Sequence, residues 1–425
     1  MKDIAEKSLF DIPGGWKTLL WILVLLGIGM FIAGLMTGGE ESVVRTWQAF
    51  LINTVFWGGI AHAGVIFAVI WQITDAKWGR AFKRLAEACA GFLPISFLMF
   101  MVVFFGSHVL YEWTHTPFLH HGEAVKQGWL NLPFFISRNV FWLLLIYGIS
   151  YWFIKTSIKP DIALARRLIG SDWGGKFADW VLEDYGEHET EVIRLEKLSR
   201  KIAPVLALIY AIGGSFLAWD FVMTLDQTWF STLFGVFVMI GNMHAFLGLM
   251  LVVAVTVRKK FGIEEYISIN RLHDLAKMTF AFSLLWTYMG YSQYIVIWYA
   301  DLPEETPYLI IRSMNAPWNT LFLVIILWVF VSVFLGLLPR TLCRIPNYIR
   351  LMGIWVMLGQ LLSVYIMVVP SLQHDGHYHI FMGMHELLIT LGFVGAFFLC
   401  YLAFLGKLPI LPISDKHLCR TWHGH

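Results

Sequence analysis

Two histidines stand inside long apolar stretches of the sequence, where ionisable side chains are rare and usually functional. His62 lies in the stretch 47–74, and His244 lies in the stretch 229–257. Each occurs near the middle of its stretch, in the similar strings GIAHA and GNMHA. Such a histidine can relay protons or contact a quinone. The alternative is structural: each imidazole donates a hydrogen bond that fixes a helix pair, and the glycines let the backbones approach.

A second set of polar residues lies at the ends of apolar stretches. The carboxylates are candidates for proton exchange, because a nearby charge or burial shifts their protonation. The cations must reach the membrane surface, pair with a carboxylate, or contact a quinol or lipid headgroup. For the arginines, pairing with an aspartate is the structural interpretation. The proton-path candidates are Asp220, Asp226 and Glu386, the headgroup candidates are His108, Arg138 and Arg312, and the possible partners of the arginines are Asp220, Asp226 and Asp301.

Metal and haem sites are weakly indicated. The spacing His374-x-x-His377-x-His379 is compatible with a metal, but a solvated or partner-facing loop is the favoured interpretation. The four cysteines show no CxxC or CxxCH spacing, which argues against an iron–sulfur or covalent haem site. A haem between helices normally needs two facing histidines at one level. We therefore expect no metal or cofactor to be bound by this chain.

The elements that position these residues are predicted to be transmembrane helices. The chain is 58% apolar and only 14% charged, whereas soluble domains are about half apolar and a quarter charged. About 20 apolar residues are needed to cross a bilayer core. We therefore predict an all-α integral membrane protein with ten transmembrane helices. They are expected near 17–37, 47–74, 86–111, 133–154, 202–222, 229–257, 275–299, 317–338, 349–369 and 380–405.

The basic residues predict the orientation. Of the 31 Lys and Arg residues, 26 lie at one alternating set of span ends. Cytoplasmic connections carry the excess of Lys and Arg in membrane proteins. Both termini and the connection 155–201 are therefore predicted to be cytoplasmic in a bacterial inner membrane. Within that connection, Glu187 to Lys201 is expected to form a cytoplasmic helix with Glu196 and Arg200 at pairing distance.

A weak internal repeat relates two halves of the sequence. The two histidine strings correspond, as do the Ser107–Trp113 and Ser292–Trp298 pairs. A Pro-aromatic-x-Ile-x-Arg string ends at Arg138 and again at Arg312. A shift of four spans keeps the direction across the membrane, so the repeats are parallel. This predicts two four-helix bundles, 46–222 and 229–369, with peripheral spans in 1–45 and 370–425.

One segment resembles a known family. The string from Trp286 to Glu305, which contains YSQY and WYADLPEE, is similar to the membrane subunits of alternative complex III. That complex is a bacterial quinol:electron-acceptor oxidoreductase, and these subunits belong to the polysulfide reductase membrane subunit (NrfD/PsrC) family. The resemblance extends from the first span to the tenth. Of the two such membrane subunits in the complex, the chain resembles the second.

The resemblance implies an electron-transport complex with a sister membrane subunit, a multihaem cytochrome c subunit and an iron–sulfur subunit, surrounded by lipids. Quinol, haem c and iron–sulfur clusters would then belong to the complex rather than to this chain. The chain itself is expected to act as a scaffold and to contribute a proton path or a wall of the quinol site. Two alternatives remain open: a secondary transporter with a midplane site at His62 and His244, and a pure scaffold. Pro204 and Pro339 fall at predicted span ends, whereas transporters usually break their helices at depth.

Overall fold

The computed structural model describes residues 2, 5–6, 9–116, 119–120, 123–124, 126–303, 305–373 and 379–415. Most of these residues are helical; the two-residue strands Leu119–His120 and Glu123–Ala124 form one short antiparallel pair. The helices are α1 (Gly14–Met36), α2 (Glu40–Ile73), the segmented α3 (Lys77–Phe105), α4 (Leu132–Ile169), α5 (Gly175–Leu182), α6 (His188–Phe221), α7 (Phe234–Phe261), α8 (Ile269–Ala300), α9 (Thr306–Ser313), α10 (Trp318–Leu337), α11 (Pro346–Val368) and α12 (Met384–Leu405).

The chain is an all-α multi-pass membrane protein, as predicted. Within the described ranges, nine helices have the length and apolar composition of membrane spans: all except α5, α8 and α9. Helix α8 corresponds to the seventh predicted span. Its 32 residues are about 48 Å long, enough to cross a bilayer. No 18-residue window of α8 is as apolar as the windows that mark the nine candidate spans.

Helices α2 and α7 form the centre of the molecule. Both are buried on nearly all sides, which is why neither shows the one-sided apolar stripe of a surface helix. They cross where Gly59 meets the side chain of Asn242. A Cβ atom added to Gly59 would lie 2.3 Å from the Asn242 amide, so only glycine fits there. The two histidine strings therefore lie close to the contact between the central helices.

The same pattern of helix neighbours occurs in each half. In the first half α2 packs against α3 and α6, and α4 packs against α6. In the second half α7 packs against α8 and α11, and α10 packs against α11. Between the halves, α6 contacts α7 and α11 contacts α2. Helices α1 and α12 pack against each other beside α2.

Helices α4 and α6 extend well beyond the predicted membrane spans. Helix α4 continues through Pro160 to Ile169. The expected cytoplasmic helix and the fifth span form one continuous helix, α6, with Pro204 in its interior. The Glu196–Arg200 pair is confirmed, with Arg200 Nη2 at 2.9 Å from Glu196 Oε1. Apolar periodicity marks the part of a helix inside the membrane, and it gives no signal for where the helix continues in water.

Arg312 does not lie inside the eighth span. It belongs to the separate helix α9, and the span α10 begins later, at Trp318. The residues between them end in Ala316–Pro317. A residue before proline disfavours helical backbone angles, so α9 must end before this point. The matching string at Arg138, in contrast, is part of the long helix α4.

Helix α10 contains a π-helical segment, Ile326–Ser332. Such a segment shifts the backbone hydrogen-bond pattern, and neighbouring groups can satisfy the carbonyls. Ser283 of α8 donates to the Val329 carbonyl at 2.7 Å. On the other side, Trp355 of α11 donates to Ser332 Oγ at 2.7 Å. Both neighbours of α10 therefore hold this segment in place.

Candidate functional site

His244 presents an unused hydrogen-bond donor in the interior of the second half. Its side chain is fully buried, and its Nδ1 lies 2.9 Å from Nε2 of Gln360 on α11. An amide nitrogen only donates, so Nδ1 accepts and the proton of the neutral imidazole is on Nε2. Within the described part of the chain, Nε2 has no hydrogen-bond partner. Water or a ligand that reached this position would find a donor ready.

Trp286 supplies a second buried donor in the same region. Its Nε1 is also without a partner among the described residues. A Cβ added to Gly241 would lie 3.1 Å from Gln360 Oε1 and 3.4 Å from Trp286 Nε1. The glycine of the histidine string thus borders both the amide and the indole. A buried unsatisfied donor costs about 1–3 kcal/mol, so the Nε2 of His244 and the Nε1 of Trp286 would each be stabilised by a polar guest.

A cavity of about 100 Å³ extends from Trp286 towards the helix α9. Trp286, Gln293 and Ser363 line it, together with Tyr308 and Arg312. The ring of Tyr308 stacks on Trp229 with centroids 3.7 Å apart. The cavity is thus enclosed mainly by aromatic rings and has a few polar groups. It has room for a few water molecules or for part of a small planar group.

Arg312 is held by backbone carbonyls. Its guanidinium donates to the carbonyls of Ile366 at 3.0 Å and Met367 at 3.1 Å, and to Ser371 Oγ at 2.6 Å. Ile366 and Met367 lie in the last turn of α11, whose free carbonyls carry partial negative charge. The expected pairing with an aspartate is therefore wrong for Arg312: neither Asp226 nor Asp301 is within ion-pair distance. The helix end provides the compensating charge instead.

The Arg312 guanidinium also lies over the Tyr308 ring, 3.5 Å from its centroid. Burial raises the pKa of the Tyr308 hydroxyl and lowers the pKa of the Arg312 guanidinium. Since an arginine remains charged at any physiological pH, this is a fixed positive charge at the edge of the cavity. It favours an anion, or a group that becomes negative, at that edge.

Arg138, the predicted counterpart of Arg312, is paired with a carboxylate. Its Nε and Nη2 donate to the two oxygens of Asp220 at 2.6 and 2.7 Å, and Asn139 donates to the same carboxylate at 2.8 Å. Its Nη1 donates to the Trp129 carbonyl at 2.6 Å. The pairing interpretation is confirmed here. The Asp220 carboxylate is fully buried and accepts all three of these hydrogen bonds, so its role is structural.

The other two carboxylate candidates also make structural contacts. Asp226 accepts from the backbone N–H and the hydroxyl of Thr228 at 3.0 and 2.7 Å, which closes a turn. Glu386 forms an ion pair with Arg45 at 2.7 Å and accepts from the Gly383 N–H at 2.9 Å, which caps α12. These contacts join loops and helix ends. None of these carboxylates is among the residues that line the cavity between Trp286 and Arg312.

The predicted histidines at the outer ends are scattered. His108 is exposed, with its ring 5.1 Å from that of His115. His379 contacts Phe381, with ring centroids 6.3 Å apart. The residues His374, Asp375 and His377 of the possible metal-binding spacing lie outside the described residues.

His62 has different surroundings from His244. Its ring lies 4.7 Å from that of Tyr147 and 6.0 Å from that of Tyr210. Its Nε2 is buried without a partner in the described part of the molecule. Tyr147 is itself hydrogen-bonded to Ser96 at 2.9 Å. Each central helix therefore carries a buried histidine with an unsatisfied Nε2, but only His244 is held by a side-chain amide, that of Gln360.

A buried ionic cluster was missed by the sequence analysis. Arg84 pairs with Asp161 at 2.6 Å and also with Glu87, and all three side chains are buried. Asp161 accepts from the Ser414 backbone N–H at 2.7 Å. The cluster thus fastens the segment after α12 to α3 and α4. Arg84 and Glu87 are three residues apart, a pairing signal, but Asp161 is 77 positions away from Arg84.

The outward part of α8 explains its lower apolar content. Its exposed side chains include Tyr288, Tyr291 and Trp298, together with Tyr299, which is 85% exposed. Tyr288, Tyr291 and Ile295 follow one another by three or four positions, and Trp298 and Tyr299 lie three and four positions after Ile295, so the five residues form one stripe on the helix. We call this stripe the α8 aromatic face. Tyrosine and tryptophan combine a large apolar body with a polar group, a chemistry typical of protein interfaces and of the headgroup region.

These observations define a multi-pass α-helical membrane protein with a polar, aromatic cavity in its second half. No protein-family model matches the chain, and no curated protein is significantly similar to it.

Proposed function

We propose that this chain is an integral membrane subunit of a quinol:electron-acceptor oxidoreductase of the alternative complex III type. It has ten spans, with both termini in the cytoplasm of a bacterial inner membrane. Redox centres reside in the partner subunits: a multihaem cytochrome c, an iron–sulfur protein and a sister membrane subunit. This chain acts as a scaffold and contributes a proton path.

The α8 aromatic face carries the proposal of a complex. Hydroxyl-bearing rings that face outward from a helix at membrane depth are poorly suited to hydrocarbon and well suited to another protein. The face lies within the segment that resembles the family, between Trp286 and Glu305. A lone transporter would have no need for such a surface on one helix. With a partner covering this face, α8 crosses the membrane as the seventh span, and the total number of spans is ten.

The helix contacts support a parallel repeat. Exchanging the halves replaces α2 by α7 and α6 by α11. This exchange converts the observed contact α6–α7 into α11–α2, which is also observed. A twofold axis along the membrane normal produces this reciprocity. His62 and His244 then occupy equivalent positions on the central helices.

The proton path is proposed for the second half. His244 and Trp286 present unsatisfied donors, and the cavity connects the level of Trp286 with Arg312. A chain of water that joined this space to His244 would let the imidazole pass a proton, because one ring nitrogen donates while the other accepts. Asp220, Asp226 and Glu386 are not needed for this path.

A pair of matched variants tests the complex. The double variant Tyr291→Ala/Trp298→Ala removes two rings of the α8 aromatic face. Truncating an interface aromatic at a hot spot costs about 2 kcal/mol or more, roughly a thirty-fold loss of affinity. The control Phe141→Ala/Leu144→Ala removes similarly exposed apolar groups from α4.

The measurement is the amount of haem-containing protein that co-purifies with each tagged variant from native membranes. We expect a several-fold loss for the α8 variant and none for the α4 control, at equal amounts of the tagged chain. Equal recovery of haem protein with both variants would contradict the proposed interface.

A further inference from the structure

A long groove opens between α1, α3 and α12 on the outside of the helix assembly. Its volume is about 650 Å³, within the range of about 300–1,000 Å³ typical of ligand sites. Its walls are almost wholly apolar and include Trp21 and Ile28 of α1 and Met99 of α3. Buried side chains of α12, such as Phe393, form its floor. Apolar walls on the outside of a membrane protein are suited to an apolar molecule from the bilayer.

Glycines explain why the protein itself does not fill the groove. A Cβ added to Gly27 of α1 would lie 2.5 Å from the Cα of Gly392 of α12, so the two backbones touch. A Cβ added to Gly395 would similarly lie 2.7 Å from the Leu20 carbonyl. These contacts draw α1 tightly onto α12. The space beside α3 is therefore left to a guest.

Two lysines line the same end of the groove. Lys17 is in the first turn of α1, and Lys407 follows the end of α12. Neither has a carboxylate at ion-pair distance among the described residues. Asp11 lines this end too, while Lys260 lies against the ring of Phe10, another lining residue. The basic bias of the sequence assigns this end to the cytoplasmic side.

The depth of the groove matches one leaflet. The helix rises about 21 Å from Lys17 to Phe31 of α1. Half of a bilayer core is about 15 Å thick. A guest with its polar group at the lysines therefore reaches the bilayer midplane within the groove, where the lining is apolar. Such a guest has a negatively charged head and a hydrocarbon tail.

We propose that the groove is a binding site for an anionic phospholipid of the cytoplasmic leaflet. Its phosphate lies between Lys17 and Lys407, and an acyl chain lies against α1, α3 and Phe393. Charge complementarity selects this occupant, since anionic lipids are concentrated in the cytoplasmic leaflet and are attracted by lysines at its surface. The lipid completes the contact of α1 with the remaining helices. The site does not depend on which complex contains the chain.

The test uses the protein as isolated from native membranes, with the subunits that accompany it. It is exchanged into mixed phosphatidylglycerol and phosphatidylcholine, and native mass spectrometry counts the retained lipids. The double variant Lys17→Gln/Lys407→Gln should lose the preference for phosphatidylglycerol about thirty-fold, because two surface lysines are removed. The control Lys201→Gln changes another exposed lysine, at the cytoplasmic part of α6. It should retain the preference.

A second variant tests the groove itself. Ala396→Trp places an indole among the lining residues and should lower the number of retained lipids of either kind, while Leu144→Trp on α4 should not. A photo-reactive residue at position 99 should form a cross-link to lipid. An unchanged lipid preference in the double-lysine variant would overturn the proposal. So would a cross-link from position 99 to another polypeptide, because the groove would then hold a partner helix.

Discussion

The ion pair of Arg138 and Asp220 permits a quantitative prediction. The carboxylate is fully buried and accepts three hydrogen bonds, two of them from Arg138. Replacing Asp220 by Ala leaves a buried guanidinium without its counter-charge, and breaking such a pair typically costs about 3–5 kcal/mol. Arg138 retains the Trp129 carbonyl and lies 4.1 Å from the centroid of the Trp129 ring. We therefore expect the lower end, about 3 kcal/mol.

Removing both charges should cost much less. Replacing a buried pair by apolar residues of similar volume is often neutral or stabilising. The variant Arg138→Met/Asp220→Leu should therefore be more stable than Asp220→Ala alone. An intermediate loss is expected for Asp220→Asn, because its carbonyl oxygen still accepts one or two of the three hydrogen bonds.

Thermal unfolding of the purified protein measures these differences, with Asp179→Ala as the control. Asp179 forms an exposed ion pair with Arg166 at 2.6 Å, and exposed pairs contribute about 0–1 kcal/mol. The reasoning is refuted if Asp220→Ala unfolds at the same temperature as Asp179→Ala. It is equally refuted if the double variant is no more stable than Asp220→Ala.

Three further predictions concern topology, proton transfer and the buried ionic cluster. A reporter inserted in 155–201 should be cytoplasmic and one in 112–131 external; the reverse result in either loop would invalidate the orientation. The variant His244→Leu should assemble but show a lower turnover per assembled complex, and His244→Gln should show a smaller loss; a wild-type turnover in the Leu variant would contradict the proton path and leave only the scaffold role. Arg84→Ala should sharply lower the yield of folded protein, because two carboxylates lose their buried cation, whereas Arg194→Ala, on the surface, should not; equal yields would show that the cluster is dispensable.

The length of the apolar runs was enough to predict the class of the molecule. Long apolar runs form helices in a membrane whatever their neighbours, because the backbone must satisfy its own hydrogen bonds there. The sequence also limited the partners of Arg138 to three aspartates, of which Asp220 is the correct one. It predicted that the two histidines would be buried on separate helices. These inferences needed no knowledge of packing.

Contacts between distant segments could not be predicted from the sequence. Arg312 is compensated by the last-turn carbonyls of α11, and every helix end has such carbonyls, so no residue type marks the partner. Asp161 looked like one more charge in a cytoplasmic connection, because the pattern did not show that α4 continues past the membrane. The hydrogen bond between His244 and Gln360 also joins two residues that are 116 positions apart and lie on different helices. Only the packed structure reveals these partners.

Isolation of the tagged chain from native membranes tests the central proposal most directly. The preparation is analysed by an absorption spectrum and by the masses of its subunits. We predict c-type haem bands, together with a multihaem cytochrome, an iron–sulfur protein and a second membrane subunit in constant ratio. A stable chain that is isolated alone, without haem absorption and without these partners, would contradict the proposal.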